Sequence, residues 1–189
     1  MARIIGHDLY FIHCPKNAGT AFLGTYCGNN QIGHVRLCQL PPPIRERSVG
    51  IVRNPYDRLV SIYEYNRMRK NHWHSFDGTT KFGPPPLYDF CTTHDFGEFV
   101  DFIRKHFDHI HLLEGWCDHC MPQTYWLAGA KHLLRFEHLD EDITKLGLGP
   151  MKKVNCSERK DWKEYYTPEL KAIVYDLYKC DFALISAIP

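Results

Sequence analysis

Phe11-Ile12-His13-Cys14-Pro15-Lys16-Asn17-Ala18-Gly19-Thr20-Ala21 runs from an apolar stretch through a proline into a helical pattern that starts on a glycine. Val52-Arg53-Asn54-Pro55-Tyr56-Asp57-Arg58-Leu59-Val60-Ser61 repeats the arrangement further along. Each stretch predicts a strand, a tight turn and a helix, with a fixed cation at the turn. The first N–H groups of a helix lack intrahelical partners and its dipole is positive there, which makes such a turn a ready anion site. Two of them, each with its own cation, point to a ligand with two separated phosphates. Strands alternating with helices predict an α/β fold: a single domain, with a central parallel sheet of about four to five strands flanked by helices.

Working outward, residues 9–14 read as a buried strand, and Gly19–Tyr26 as its following helix, broken by Gly28-Asn29-Asn30. Residues 34–40 alternate and predict a second strand, ended by Pro41-Pro42-Pro43. Residues 48–53, with Val49, Ile51 and Val52, predict a third. Pro55 suits the first turn of a helix that runs to about Lys70. Residues 71–94 hold His72, Trp73, His74, Phe76, Phe82, Pro84-Pro85-Pro86 and Tyr88. So long an irregular segment is a candidate for stacking on a sugar ring or another flat acceptor, or else a lid packed on its own aromatics. Helices are predicted at 96–107, 122–127 and 139–146, and a fourth strand at 132–136. One amphipathic helix is predicted over 168–182, with Thr167 as N-cap and Pro168 at its first position.

The 189 residues are 44% hydrophobic and 24% charged, the composition of an ordinary soluble globule. A formal net charge of +1 gives no support for a nucleic-acid or membrane-surface partner. The charge is skewed, with ten Lys/Arg against four Asp/Glu in residues 1–70, the part that carries both turns. The absence of a spanning apolar run or a signal-peptide pattern predicts a soluble, cytoplasmic chain whose eight cysteines are mostly free thiols. Cys117-Asp118-His119-Cys120 together with Cys91-x-x-His94 could form a structural zinc clip. Unconnected thiols are the favoured alternative, and no metal is assigned.

His13-x-Pro15-Lys16-x-x-Gly19-Thr20 resembles the 5′-phosphosulfate loop of sulfotransferases that use 3′-phosphoadenosine 5′-phosphosulfate (PAPS). Val52 to Ser61 resembles that family's 3′-phosphate strand–turn–helix. His119-x-x-Pro122-Gln123, Arg135-Phe136-Glu137-His138-Leu139, Asn155-x-Ser157-x-Arg159 and Tyr165-Tyr166-Thr167-Pro168-Glu169-Leu170 resemble later family segments in the expected order. The similarity spans about residues 9–183, and the nearest branch is the carbohydrate type that includes heparan and chondroitin sulfate enzymes. Asn17 stands where the family often has Thr, and Ala21 where Ser or Thr is common. The resemblance implies a P-loop-like sulfotransferase fold and PAPS as co-substrate, with 3′-phosphoadenosine 5′-phosphate (PAP) as product. The acceptor would be a hydroxyl of a small molecule or glycan.

On this reading Lys16 donates to the bridging oxygen of the leaving phosphate. Thr20 and the N–H groups of Asn17, Ala18, Gly19, Thr20 and Ala21 hold the 5′-phosphate. Arg53 and Ser61 take the 3′-phosphate, a planar guanidinium being well shaped for phosphate; an ion pair of Arg53 with Asp57 is the structural alternative. Arg58 is explained equally well by an exposed helix face. Asn155, Ser157 and Arg159 could close over the nucleotide or belong to an ordinary polar loop. The general base is expected to be a histidine. His34 is favoured because Gly33-His34-Val35 resembles the segment that carries the base in heparan 2-O-type enzymes. His119 ranks second, Glu64 is an outside choice, and His13 reads as a packing residue. A P-loop kinase is disfavoured because Gly19 is followed by Thr20-Ala21 rather than Lys and Ser/Thr. A non-catalytic nucleotide-binding or zinc-clipped module on the same fold is the other rival.

Overall fold

The computed structural model describes residues 1–28, 33–71, 74–113, 117–151 and 159–189. By its internal contacts the chain divides into two compact units. The first comprises Met1–Asn54, Pro122–Cys156 and Cys180–Pro189, and the second Pro55–Met121 and Ser157–Lys179.

The first unit is a four-stranded sheet in the order β1-β2-β3-β4, with β1 Ala2–Arg3, β2 Tyr10–Ile12, β3 Ser48–Val52 and β4 His132–Arg135. β2, β3 and β4 run parallel, in a register that pairs Phe11 with Val49 and Val52 with Arg135. β1 is antiparallel to β2. Every residue of β3 is buried, as expected of a central parallel strand covered on both faces. On one face Phe11, Val49, Ile51 and Leu134 pack with Phe22 and Leu23 of α1 (Gly19–Tyr26) and with Leu139 and Ile143. On the other, Ile12, Val52 and Leu133 pack with Leu37, Trp126, Leu127, Leu184 and Ile185. Gly50 admits this second layer, since a Cβ there would lie 2.6 Å from a methyl carbon of Leu127. Each fully buried Leu, Ile or Phe contributes about 1.5–3 kcal/mol. The unit is completed by the short α2 (Pro42–Arg45).

The second unit holds α3 (Pro55–Arg67), α4 (Tyr88–Thr93) and α5 (Phe96–His106). In the first unit follow α6 (Gln123–Leu127) and α7 (Leu139–Lys145). Then come α8 (Pro168–Leu177), in the second unit, and α9 (Lys179–Ser186), whose residues from Cys180 onward belong to the first. α5 carries a reciprocal capping box: Glu98 N donates to Asp95 Oδ1 and Asp95 N to Glu98 Oε2, at 2.9 and 2.8 Å. Its Phe99, Val100 and Ile103 are fully buried.

Three expectations are corrected. Residues 34–40 form no strand: 33–36 are irregular and Leu37–Gln39 is a 3₁₀ turn. β2 pairs directly with β3, and its other edge is taken by β1, so the alternating segment has no edge of β2 to join. The expected single helix at 168–182 is broken at Tyr178 (φ −111°), whose hydroxyl donates to Cys120 O, while Asp181 turns to the start of α6. Residues 71–94 are not wholly irregular, since α4 occupies their end. Their aromatics pack on one another, His74 against Phe82 and Phe76 against Tyr88, with His74 buried and bonded to Gly83 O. His72 and Trp73 lie outside the described residues.

Candidate active site

β2 ends at Ile12 and the chain turns before α1. Lys16 (φ +65°) and Ala18 (φ +56°) are both left-handed, and among the described residues they are the non-glycines with positive φ. Each such residue costs about 1–3 kcal/mol and persists only where its surroundings over-determine it. Asn17 supplies much of that constraint. Its side chain is 1% exposed, and its Nδ2 donates to Ile51 O and to Gln123 Oε1, both at 2.6 Å. Arg53 adds to it, with Nη1 donating to Lys16 O at 3.0 Å. Alternating left-handed residues turn successive N–H groups toward one side, a concavity suited to an anion.

Gly19 is required on steric grounds, because a Cβ would lie 1.9 Å from His13 Cδ2 and 2.0 Å from Nε2. The His13 ring therefore lies across the start of α1. Burial, followed by the neighbouring His34, the N-terminal amine and Lys16, holds its pKa well below 6.5. Its buried Nδ1 has no hydrogen-bond partner among the described residues. His34, half-buried, has Nδ1 3.1 Å from His13 O. A carbonyl only accepts, so that nitrogen carries the hydrogen, and in the neutral ring Nε2 carries the lone pair. The His34 ring lies 4.4 Å from that of His13 and 5.7 Å from that of Trp126.

Beyond β3, Arg53 is 8% exposed, with its guanidinium 4.1 Å above the Phe136 ring. Asn54 N donates to Glu137 Oε1 at 2.7 Å. Arg135 clasps Asp142 through Nη2 and Nε at 2.6 and 3.0 Å, and this holds the Asp142 carboxyl below its usual range. The Arg135-Phe136-Glu137 motif is thus a support for the end of β3. Gln123, which sequence reasoning left without a role, sits at the centre. Its Oε1 accepts from Arg53 N, and its Nε2 donates to Arg53 O, both at 2.8 Å.

The first unit therefore gathers Lys16, Asn17, Ala18, Gly19, Thr20, Ala21, His34 and Arg53 around the turns after β2 and β3. The Asn17 side chain faces inward, so only its main chain remains to meet a ligand.

In the second unit, Ser61 lies on α3 and is 7% exposed. Asp57 of the same helix pairs with Arg159. Arg159 Nη1 is buried without a hydrogen-bond partner among the described residues. Trp162 stacks on Tyr56 at 5.4 Å, and the Tyr166 hydroxyl donates to Tyr56 O. Glu64 is engaged by Arg67 and by the Tyr165 hydroxyl, whose pKa is pushed up to about 12 by burial and then by that carboxylate. Arg58 is not on an exposed face: it is 2% exposed and donates to His119 O and Met121 O. It is a structural anchor for residues 119–121. Asn155 and Ser157 lie outside the described residues.

Among the described residues no group of three or more His, Cys, Asp or Glu could hold a metal ion. Cys91 and Cys120 are buried and form no disulfide, His94 Nδ1 is bonded to Phe90 O, and the Cys117 side chain lies outside the description. Nor is any helix among these residues long and apolar enough to cross a membrane.

Comparison with curated proteins and with solved structures finds no match. A family model described as the sulfotransferase family matches residues 7–146, about three quarters of the chain, including both turns and the Arg135-Phe136-Glu137 support. The chain belongs to the sulfotransferase family, transferases that move a sulfuryl group.

Proposed function

We propose that the protein transfers a sulfuryl group from PAPS to a hydroxyl, of which a carbohydrate hydroxyl is the favoured class. The observation that carries this reading is the strained turn at Lys16 and Ala18, plugged by Asn17 and tied to Arg53. Left-handed backbone at non-glycine residues is kept where function needs it. Here it turns N–H groups outward at the head of α1, as binding a 5′-phosphate requires. Arg53 supplies a guanidinium next to that turn for the 3′-phosphate, with Ser61 as its partner in the family motif. Arg159, partly buried and paired with Asp57, and Ser157 are assigned to the nucleotide by the family motif alone.

The donor contributes a phosphosulfate anhydride, whose cleavage leaves PAP. Lys16 puts a positive charge at the turn, where negative charge grows on the leaving phosphate oxygen. A donor preorganised for that oxygen acts in the transition state without reorganising. His34 accepts the acceptor's proton at Nε2, its tautomer held by the carbonyl of His13. The carbohydrate acceptor rests on the resemblance of Gly33-His34-Val35 to the base-bearing segment of heparan-type enzymes. No metal is assigned a role, because protein cations meet the charge.

Calorimetry with PAP and AMP tests the nucleotide. PAP is expected to bind with a Kd in the low-micromolar range, about −8 kcal/mol, and AMP clearly more weakly. Equal binding of the two would overturn the assignment of Arg53 and Ser61.

A further inference from the structure

We propose that Gln123 is a positioning residue for the 3′-phosphate end of the nucleotide: its side-chain amide stands in for a missing strand neighbour and fixes the main chain of Arg53. The inference rests on the PAPS reading above. The β3–β4 ladder ends at Val52 and Arg135, and the β2–β3 ladder ends earlier, at Ile12 and Gly50. Arg53 is therefore the first residue past both ladders, and its buried N–H and C=O need partners from elsewhere. The Gln123 amide meets both, at 2.8 Å each. Their polarity dictates which way round the amide lies, with oxygen toward Arg53 N and nitrogen toward Arg53 O. The same oxygen then accepts from Asn17 Nδ2 at 2.6 Å. One side chain thereby links the residue proposed for the 3′-phosphate to the plug of the 5′-phosphate turn.

Gln123 is itself held. It opens α6, and its main-chain N donates to Asp181 Oδ2 at 2.7 Å, while Thr124 N donates to Oδ1 at 2.9 Å. Gln123 and Asp181 are both 0% exposed. Neither reaches the surface where a nucleotide would lie, so Gln123 acts through Arg53 and not on the ligand. Without the amide, the Arg53 main chain can rotate, and the guanidinium leaves its place over Phe136 and against Lys16 O.

The test measures PAP and AMP affinities for wild type, Gln123→Met, Arg53→Ala and the double variant. Wild type is expected to prefer PAP, and Gln123→Met to reduce that preference by about 10-fold or more, the scale of one or two buried hydrogen bonds. On an Arg53→Ala background the same change should alter the preference by less than about 2-fold, since the residue it acts through is gone. If Gln123→Met weakens PAP and AMP equally and leaves the preference intact, its role is merely structural and the proposal is overturned.

Gln123→Glu keeps the volume and the acceptor oxygen, and guards against a methionine variant that fails to fold. Ionised, it cannot donate to Arg53 O; protonated, it offers one donor and one acceptor as glutamine does. Its PAP preference, relative to wild type at the same pH, should rise as pH falls from about 8 to about 5, through the titration of a buried carboxyl. A flat relative preference would overturn the proposal. A wild-type chain that binds PAP no better than AMP overturns the nucleotide reading itself, and the role of Gln123 with it.

Discussion

The turn after β2 and the turn after β3 each end a parallel strand at a cation, yet they are built in opposite ways. At the first, the main chain is bent into left-handed conformations at Lys16 and Ala18, and its N–H groups are the surface proposed to meet the 5′-phosphate. At the second, Arg53 and Asn54 keep ordinary backbone, and the work falls to side chains from remote residues. Gln123 pairs with Arg53, Glu137 takes Asn54 N, and Phe136 supports the guanidinium. A turn built from backbone is vulnerable to a misplaced methyl group beside it. A turn built from side chains is vulnerable to substitutions far away in the sequence.

The sharpest break in this comparison is chemical. If the first turn and its neighbour His34 carry the reaction, His34→Ala should cut transfer by roughly 10²–10⁴-fold while PAP affinity and melting temperature hold. Loss of transfer on His119→Ala instead would move the base to the second unit. Next in size, Lys16→Ala should lower kcat by on the order of 10²-fold or more and weaken PAP less than it weakens turnover. An unchanged kcat would remove Lys16 from the chemistry.

Smaller effects probe the architecture. Gly19→Ala forces a methyl group into the His13 ring and should lower stability by about 1–3 kcal/mol in a thermal melt. Adding His13→Ala should make the combined loss smaller than the sum of the two. If the losses simply add, the close approach of Gly19 and His13 is not what constrains the turn. The smallest effect is a pH slope. The folded-state pKa of His13 lies below 6.5, so the unfolded chain binds the proton more tightly. Stability should then fall as pH drops below about 6.5, by at most about 1.4 kcal/mol per unit from this one group. His13→Phe, which cannot be protonated, should flatten that slope between pH 6.5 and 5. His74 and His132, also held low by burial, keep part of it.

The elements legible in the sequence are those whose signals are local. Gly19–Tyr26 is marked by Gly19 and Gly28, and α3 by Pro55. Local pattern misleads where alternation has no partner strand. In residues 34–40, Leu37 goes into the core and Arg36 lies over the Tyr125 ring, 4.4 Å from its centre, so the alternation marks burial and not a ladder. Lys16, Arg53 and Gly19 were visible as residues of a motif. Gln123 and Asp181 were not visible as a support, because their meaning lies in contacts across 70 and 58 residues of chain. Arg58 misled for the same reason: nothing near it in sequence shows that its guanidinium is buried against residues 119 and 121.

The Asn17–Gln123 bond joins residues 106 positions apart. Closing so long a stretch of chain is entropically costly and is repaid only when the contacts at its ends are made, so such contacts tend to belong to slow, late stages of folding. The strained conformation of Lys16 and Ala18 draws its support from Ile51, Arg53 and Gln123, all distant in sequence. Competence for the nucleotide is therefore expected to arise after the sheet and α1 have formed. A ligand that recognises only the finished turn should slow unfolding without hastening folding, since it has nothing to grip until the chain's distant segments have met.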